Sequence, residues 1–220
     1  MKKVCLGLVL GLWIVLGTAS LYASGTFEGE VDYNMTAKQS TGTITYLLKG
    51  KQIRINTING GREGDAIMDM ETRQITMLMV AQKMYMTMAI PPSNTAAARE
   101  GTFTDTGRSL VILGKTCEEW LYTGKRGSSS VWAAHGLGNF GGFAEKPNDA
   151  NAAWADAVKH KGLFPLKIVS KDTGGNVVMT MEATNITPET LDESDFQVPA
   201  GFNKLDMGNL GAMMGEHPGQ

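Results

Sequence analysis

The chain has 220 residues, 20 basic and 22 acidic side chains, 42% apolar residues and two cysteines. So even a charge balance argues against a nucleic acid or an anionic membrane surface held by bulk electrostatics. The length suffices for one domain with a sizeable core.

The chain opens with MKK and the apolar run VCLGLVLGLWIVLG, which is too short to span a bilayer comfortably and is followed by small residues in GTASLYAS. Residues 1–24 are therefore expected to be a cleaved secretory signal, which places the mature chain in the periplasm or outside the cell. An uncleaved anchor is the alternative, because no position fits an A-x-A cleavage box perfectly. Cys5 precedes the apolar run, the wrong side for a lipobox. Without Lys2 and Lys3 the balance is 18 basic to 22 acidic residues, a net charge of −4. Cys117 is then the only cysteine, so no disulfide can form within the chain and stability must come from burial.

From Thr26 to about Thr87, apolar and polar residues alternate and turn formers recur at short intervals, the pattern of antiparallel hairpins. Strands are expected near 27–35, 42–49, 52–58, 65–70, 74–80 and 83–88, separated by QSTG, KGKQ, INGGREG, METRQ and VAQK. Residues 89–107 have two prolines, little apolar content and no period, and are expected to be a long mobile loop. Strands resume at RSLVIL, TCEEWLYTG and SSSVWAAH. A helix is expected in DANAAWADAVKHKG, where Ala150, Ala153, Trp154, Ala157 and Val158 share a stripe, lysines occupy the last turn and Gly162 lies beyond it. FPLKIVSK and NVVMTMEATNI close the domain, LDESDFQVPAGF follows as a turn or short helix with an extended segment, and 207–220 is a glycine-rich flexible tail. The organisation expected is one domain over 25–206. It is mainly β with some helix (α+β): a large antiparallel sheet, partly closed, with the helix over one face.

Few motifs suggest chemistry. HGLGNFGGF contains GxGxxG at Gly136, Gly138 and Gly141, but no helix opens at the third glycine and no βαβ unit surrounds it. A turn with positive φ at glycines, and Phe140 or Phe143 packed inward, explains it better. Cys117 with His135 or His160 could form a thiolate and imidazole pair, yet nothing in the sequence places them together. Glu118 and Glu119 are adjacent on a strand and face opposite sides. Asp192, Glu193 and Asp195 lack the spacing of a calcium loop and suit capping instead.

The methionines carry more information. Seven of fourteen lie in residues 67–88 and recur two apart: Met68 and Met70, Met77 and Met79, Met84 and Met86, then Met88. On a helix such neighbours stand about 200° apart, whereas on a strand they share a face. Three successive hairpin strands therefore bring all seven toward one patch, and Met179 and Met181 repeat the spacing. Three uses compete. Methionine fills irregular gaps in a core; flexible thioethers line a deformable apolar cavity; and Met77, Met79, Met84 and Met86 could ligate copper(I) as soft donors.

IMDMETRQITMLM with QKMYMTM, LGKTCEEW, VWAAHGLGNF, FPLKIVSKD and DFQVPAGF, in that order, resemble a bacterial family, domain of unknown function 4412. The resemblance spans roughly 27–207 and extends to the periplasmic carriers of the LolA and LolB type. It implies an unclosed, half-open β-barrel with one or two helices covering the concave face and a hydrophobic cavity between them. In the carriers that cavity holds lipoprotein acyl chains. This chain departs from them in favouring methionine over aromatics, and Arg54 is only the nearest match to their cavity arginine. No enzymatic motif and no cofactor come with the resemblance.

The function expected is that of a non-enzymatic periplasmic binding protein. Met68, Met70, Met77, Met79, Met84, Met86, Met88, Met179 and Met181 would line a cavity for a lipid, lipoprotein or other hydrophobic ligand, with Trp154 and the 89–107 loop as its gate. The alternatives are a copper(I)-binding protein, and a structural module with a transient envelope partner and no ligand.

Overall fold

The computed structural model describes residues 27–37, 40–90, 101–138, 140, 154–155, 158 and 160–205. Their strands are β1 (Glu28–Ala37), β2 (Ser40–Lys49), β3 (Gln52–Asn59), β4 (Arg62–Asp69), β5 (Gln74–Met79), β6 (Met84–Ala89), β7 (Gly101–Ile112), β8 (Lys115–Gly124), β9 (Gly127–Ala134), β10 (Phe164–Lys171), β11 (Val177–Pro188) and β12 (Asn203–Lys204). They form one unclosed sheet in the order β12-β6-β5-β4-β3-β2-β1-β11-β10-β9-β8-β7. β1 to β6 are successive hairpins, β7 to β9 and β10 to β11 are hairpins too, β9 pairs with β10 across the segment that carries the helix, and β1 joins the two series by pairing with β11. All pairings are antiparallel except that of β12, which runs parallel to β6. The signal segment 1–24 and the tail 207–220 lie outside the described residues.

One face of the sheet builds the main core. Val31, Tyr33, Ile44, Tyr46, Ile53 and Ile168 come from four strands and are essentially inaccessible. Trp154, Ala155, Val158 and His160 are helical, and Trp154 and Val158 join the same core, so a helix covers this concave face. The helix ends as its sequence requires: Lys161 and Leu163 donate backbone N–H groups to the Val158 carbonyl, and Gly162 takes φ +63°.

The opposite, convex face is closed differently. Beyond β11 the chain turns back across β2 to β6, and Leu191, Phe196, Val198 and Phe202 pack on Leu47, Ile67, Leu78 and Tyr85. This strap is pinned by polar contacts: Lys49 Nζ donates to the Leu191 carbonyl (2.6 Å) and pairs with Glu193 (2.9 Å). Asp192 and Asp195 form a reciprocal capping box around a 3-10 turn, Glu193–Phe196, as their spacing suggested. The strap ends as β12, beside β6.

One sequence expectation needs correction. Residues 101–107, assigned to a loop, are the first half of β7; residues 91–100 lie outside the described residues. The polar composition that suggested a loop is that of an edge strand. Thr102, Thr104 and Thr106 have β-branched side chains suited to a solvated edge, and a register shift between Asp105 and Ser109, with φ +71° at Gly107, twists the strand.

Candidate ligand-binding face

The methionine pattern is resolved by strand register. Leu48 lies opposite Ile53, Ile53 opposite Met68, Met68 opposite Ile75, and Ile75 opposite Met88. Residues directly opposite share a face, so this row runs from the concave core to the edge of the sheet. A second row runs from Ala66 through Met77 to Met86, and Met79 stands directly opposite Met84. Met68, Met77, Met79, Met84, Met86 and Met88 therefore all lie on the concave side.

Burial divides them. Met68 is core, and Met70 is half-buried against it just past the end of β4. Met79, Met84 and Met86 are half-buried, whereas Met77 is 40% and Met88 41% exposed. The β4 to β6 end of the concave side is thus an open apolar face rather than a sealed cavity. The other side of the same three strands is closed by the strap.

Met179 and Met181 belong to the core, opposite Ala37 and Met35. Their strand is four places from β4, about 19 Å along the sheet at the usual strand spacing, so they do not extend the open face. Trp154 is completely buried, with its ring centroid 5.8 Å from Phe140, which packs on Tyr46 and Phe164 at 5.6 Å each. A side chain locked into this aromatic centre serves as a core anchor and not as a gate. Arg54 faces the convex side. Its Nε and Nη2 donate to the two Asp65 oxygens (3.0 and 2.6 Å) and its Nη1 to the Asp195 carbonyl (2.9 Å), so it fastens the strap instead of entering a cavity.

The remaining motifs resolve into structure. Gly136 and Gly138 adopt φ +82°, and Leu137 and Phe140 are fully buried, so HGLGNF is a turn that inserts two apolar side chains; Gly141 and Phe143 lie outside the described residues. The Cys117 thiol is buried and donates to the Lys115 carbonyl (3.6 Å). Burial pushes its pKa up, the reverse of what activates a nucleophile. Among the described residues no three His, Cys, Asp or Glu side chains converge as a metal site, and no helix is long and apolar enough to cross a membrane.

Two polar clusters escaped the sequence analysis. On the β7 to β9 side, Glu119 is 3% exposed and accepts hydrogen bonds from Thr106 (2.8 Å), Ser130 (2.7 Å) and Arg108 Nε (2.6 Å). Burial raises the pKa of the carboxyl, but these donors from Ser130, Thr106 and Arg108, with the Arg108 charge, outweigh it and hold the pKa below its ordinary value. The Arg108 guanidinium also lies 5.7 Å from the Trp132 ring centroid. On the concave side, Phe103 stacks on Trp120 (5.1 Å, 11°), and Lys161 Nζ sits 4.1 Å from the centroid of the Trp120 ring. No local pattern in TCEEWLYTG singles out Trp120, and Phe103 was hidden in the segment read as loop.

Comparison with known proteins bears on the fold. An uncharacterized conserved protein from Thermus thermophilus superposes with a TM-score of 0.50 at 6% identity, covering 81% of this chain and 90% of that one. The structure titled PNGF-II gives 0.50 at 13% identity, with 85% of this chain covering 33% of that protein, so the chain spans about a third of its length. A putative outer membrane lipoprotein-sorting protein domain from Vibrio parahaemolyticus matches at 10% identity over 80% of this chain and 91% of that one, with a TM-score of 0.26. At these identities the first two speak to the fold alone, and the third, with its TM-score of 0.26, carries no argument. A sequence search of curated proteins found no match. Residues 27–202 match the family described as Domain of unknown function (DUF4412), and the chain belongs to that family.

Proposed function

We propose that the chain is a non-enzymatic periplasmic binding protein whose methionine-lined concave face takes the apolar part of a lipid, lipoprotein or comparable hydrophobic ligand. The observation that carries this is the asymmetry of β4 to β6. One side is sealed by the chain's own strap, and the other presents Met77 and Met88 at 40% and 41% exposure with Met79, Met84 and Met86 half-buried beside them. A contiguous apolar face left open beside a finished core suits a binding surface. Unbranched thioethers adapt it to cargo of varied shape.

Native mass spectrometry of protein purified from periplasm tests this. A co-purifying hydrophobic species, lost when Met77→Glu and Met86→Glu are combined, is expected. A bare wild-type protein that also takes up no apolar fluorescent dye would sink the idea.

The direct opposition of Met77 to Met86 and of Met79 to Met84 favours a second function, copper(I) binding by thioethers. Anaerobic copper(I) titration of the wild type and of a variant with all four changed to Leu separates the two. Leu preserves apolarity, so hydrophobic uptake survives the change and copper binding does not.

A further inference from the structure

The strap does not stop at the convex face. Past Phe202 it reaches the edge of the sheet, where Asn203 lies opposite Met84 and Lys204 opposite Tyr85 in a parallel pairing. The Asn203 N–H donates to the Lys83 carbonyl (2.9 Å) and the Leu205 N–H to the Tyr85 carbonyl (2.7 Å). The chain therefore leaves β12 running in the direction of β6, toward Met86 and Met88. Among the described residues no strand pairs with this edge of β6 beyond Tyr85, and an open edge is a template for another strand.

Register decides which side of the sheet each residue takes, because successive side chains alternate and paired residues share a face. Phe202 and Lys204 fall on the convex side with Tyr85, where Phe202 packs in the strap's apolar cluster. Asn203 and Leu205 fall on the concave side with Met84 and Met86, and Leu205 is already half-buried. Continued in the same register, the chain would set Met207 opposite Met88, with its N–H toward the Thr87 carbonyl, and would turn Asp206 to the other side. Gly208 would come opposite Ala89, the last residue of β6, where a glycine permits a reversal. The sequence beyond it carries Leu210, Met213 and Met214 and no charge before Glu216. At about 3.3 Å per residue, residues 206–214 can span about 30 Å, ample for the roughly 10 Å across the sheet from β6 to β4.

We propose that residues 206–214 prolong β12 along β6 and fold over the concave side, so that Met207, Leu210, Met213 and Met214 cover Met77, Met86 and Met88 and hold the binding face until a ligand displaces them. The described strands show the face open, and this is its closed state. Tethering at Leu205 gives the segment an effective concentration on the order of millimolar, which favours it over a second copy of the chain. As regulation the proposal rests on the binding function proposed above; as a cover it does not.

A peroxide pulse on the mature chain, with initial rates of sulfoxide formation read by peptide mass spectrometry, tests the cover, and uptake of an apolar fluorescent dye tests the competition. The chains compared are wild type, the double variant Met207→Asp with Leu210→Asp, and Met207→Leu. A cover closed in about nine molecules of ten slows reaction beneath it about tenfold and weakens apparent dye affinity by the same factor. The double variant is expected to oxidise Met77 and Met88 about threefold or more faster than wild type and to take up dye correspondingly more tightly. Met68 and Met181 should keep their rates, which a loosened fold would raise, and Met207→Leu should behave as wild type. Equal rates at Met77 and Met88 in wild type and double variant would overturn the cover. Rates that fall with protein concentration in both would overturn it in favour of a second copy on the face. Faster oxidation in the double variant without dye uptake would overturn the binding function, and with it the competition, and leave the segment a fixed cover.

Discussion

Phe196→Ala tests whether the strap closes the convex face without serving the concave one. Phe196 is 6% exposed in a cluster with Ile67, Leu78 and Leu191. Truncating a buried phenylalanine costs about 3–5 kcal/mol, and this small satellite cluster, free to relax at the surface, places the cost near 3 kcal/mol. A domain of this size loses about 2–4 °C per kcal/mol, so the melting temperature should fall by about 6–12 °C. The loss has a ceiling, since once the strap detaches no further stability depends on it. Lys49 and Arg54, which hold the Leu191 and Asp195 carbonyls, delay that detachment. Differential scanning calorimetry measures the shift, and limited proteolysis should find new cleavage within residues 189–205. Uptake of an apolar fluorescent dye by the folded variant should match wild type, since the binding face proposed above is on the other side of the sheet. A melting temperature within about 2 °C of wild type, with no new cleavage, would show that the strap is not what closes this face.

Three further outcomes follow from the same geometry. Glu119 has its pKa held below the ordinary carboxylate value of 4.5, so its contribution is complete above that value and is lost as pH falls through the folded pKa. Glu119→Gln should therefore cost about 1.5–3 kcal/mol at pH 7 and flatten the acid limb of a melting-temperature profile below the ordinary carboxylate value; parallel wild-type and variant profiles would refute this. Cys117, buried and with its thiol pKa raised, should resist iodoacetamide at pH 8 in the native protein and react promptly in guanidinium. Under mild peroxide, Met77 and Met88 should form sulfoxides before Met68 and Met181 by peptide mass spectrometry, and any uptake of an apolar dye by the proposed face should fall in step, because oxidation makes a thioether polar.

Much of the architecture was legible in local pattern. Alternation and turn residues located the hairpins from β1 to β6 to within a few residues, because tight turns depend on residues adjacent in sequence. Spacing by two put the methionines on strands and on a shared side, and Asp192 and Asp195 announced their cap. Phe103 was misplaced because an edge strand needs no apolar alternation, and threonine-rich edges resemble loops. Arg54 was misassigned for a different reason. Its partners, Asp65 and the Asp195 carbonyl, are 11 and 141 residues away, and no local signal says which side of the sheet it faces.

The sequence by itself determined that β4 to β6 carry a methionine face, since a strand's two-residue period is a property of the backbone. Which side is sealed and which is open was decided only in the tertiary structure. Both sides of these strands are apolar, Ile67 and Leu78 on one and Met77 and Met86 on the other, so composition cannot rank them. The choice falls to the strap of residues 189–205, which returns from far along the chain to bury Ile67 and Leu78 and leaves Met77 and Met88 uncovered. Lys161 and Trp120 meet in the same way, through the docking of a helix end on a distant strand.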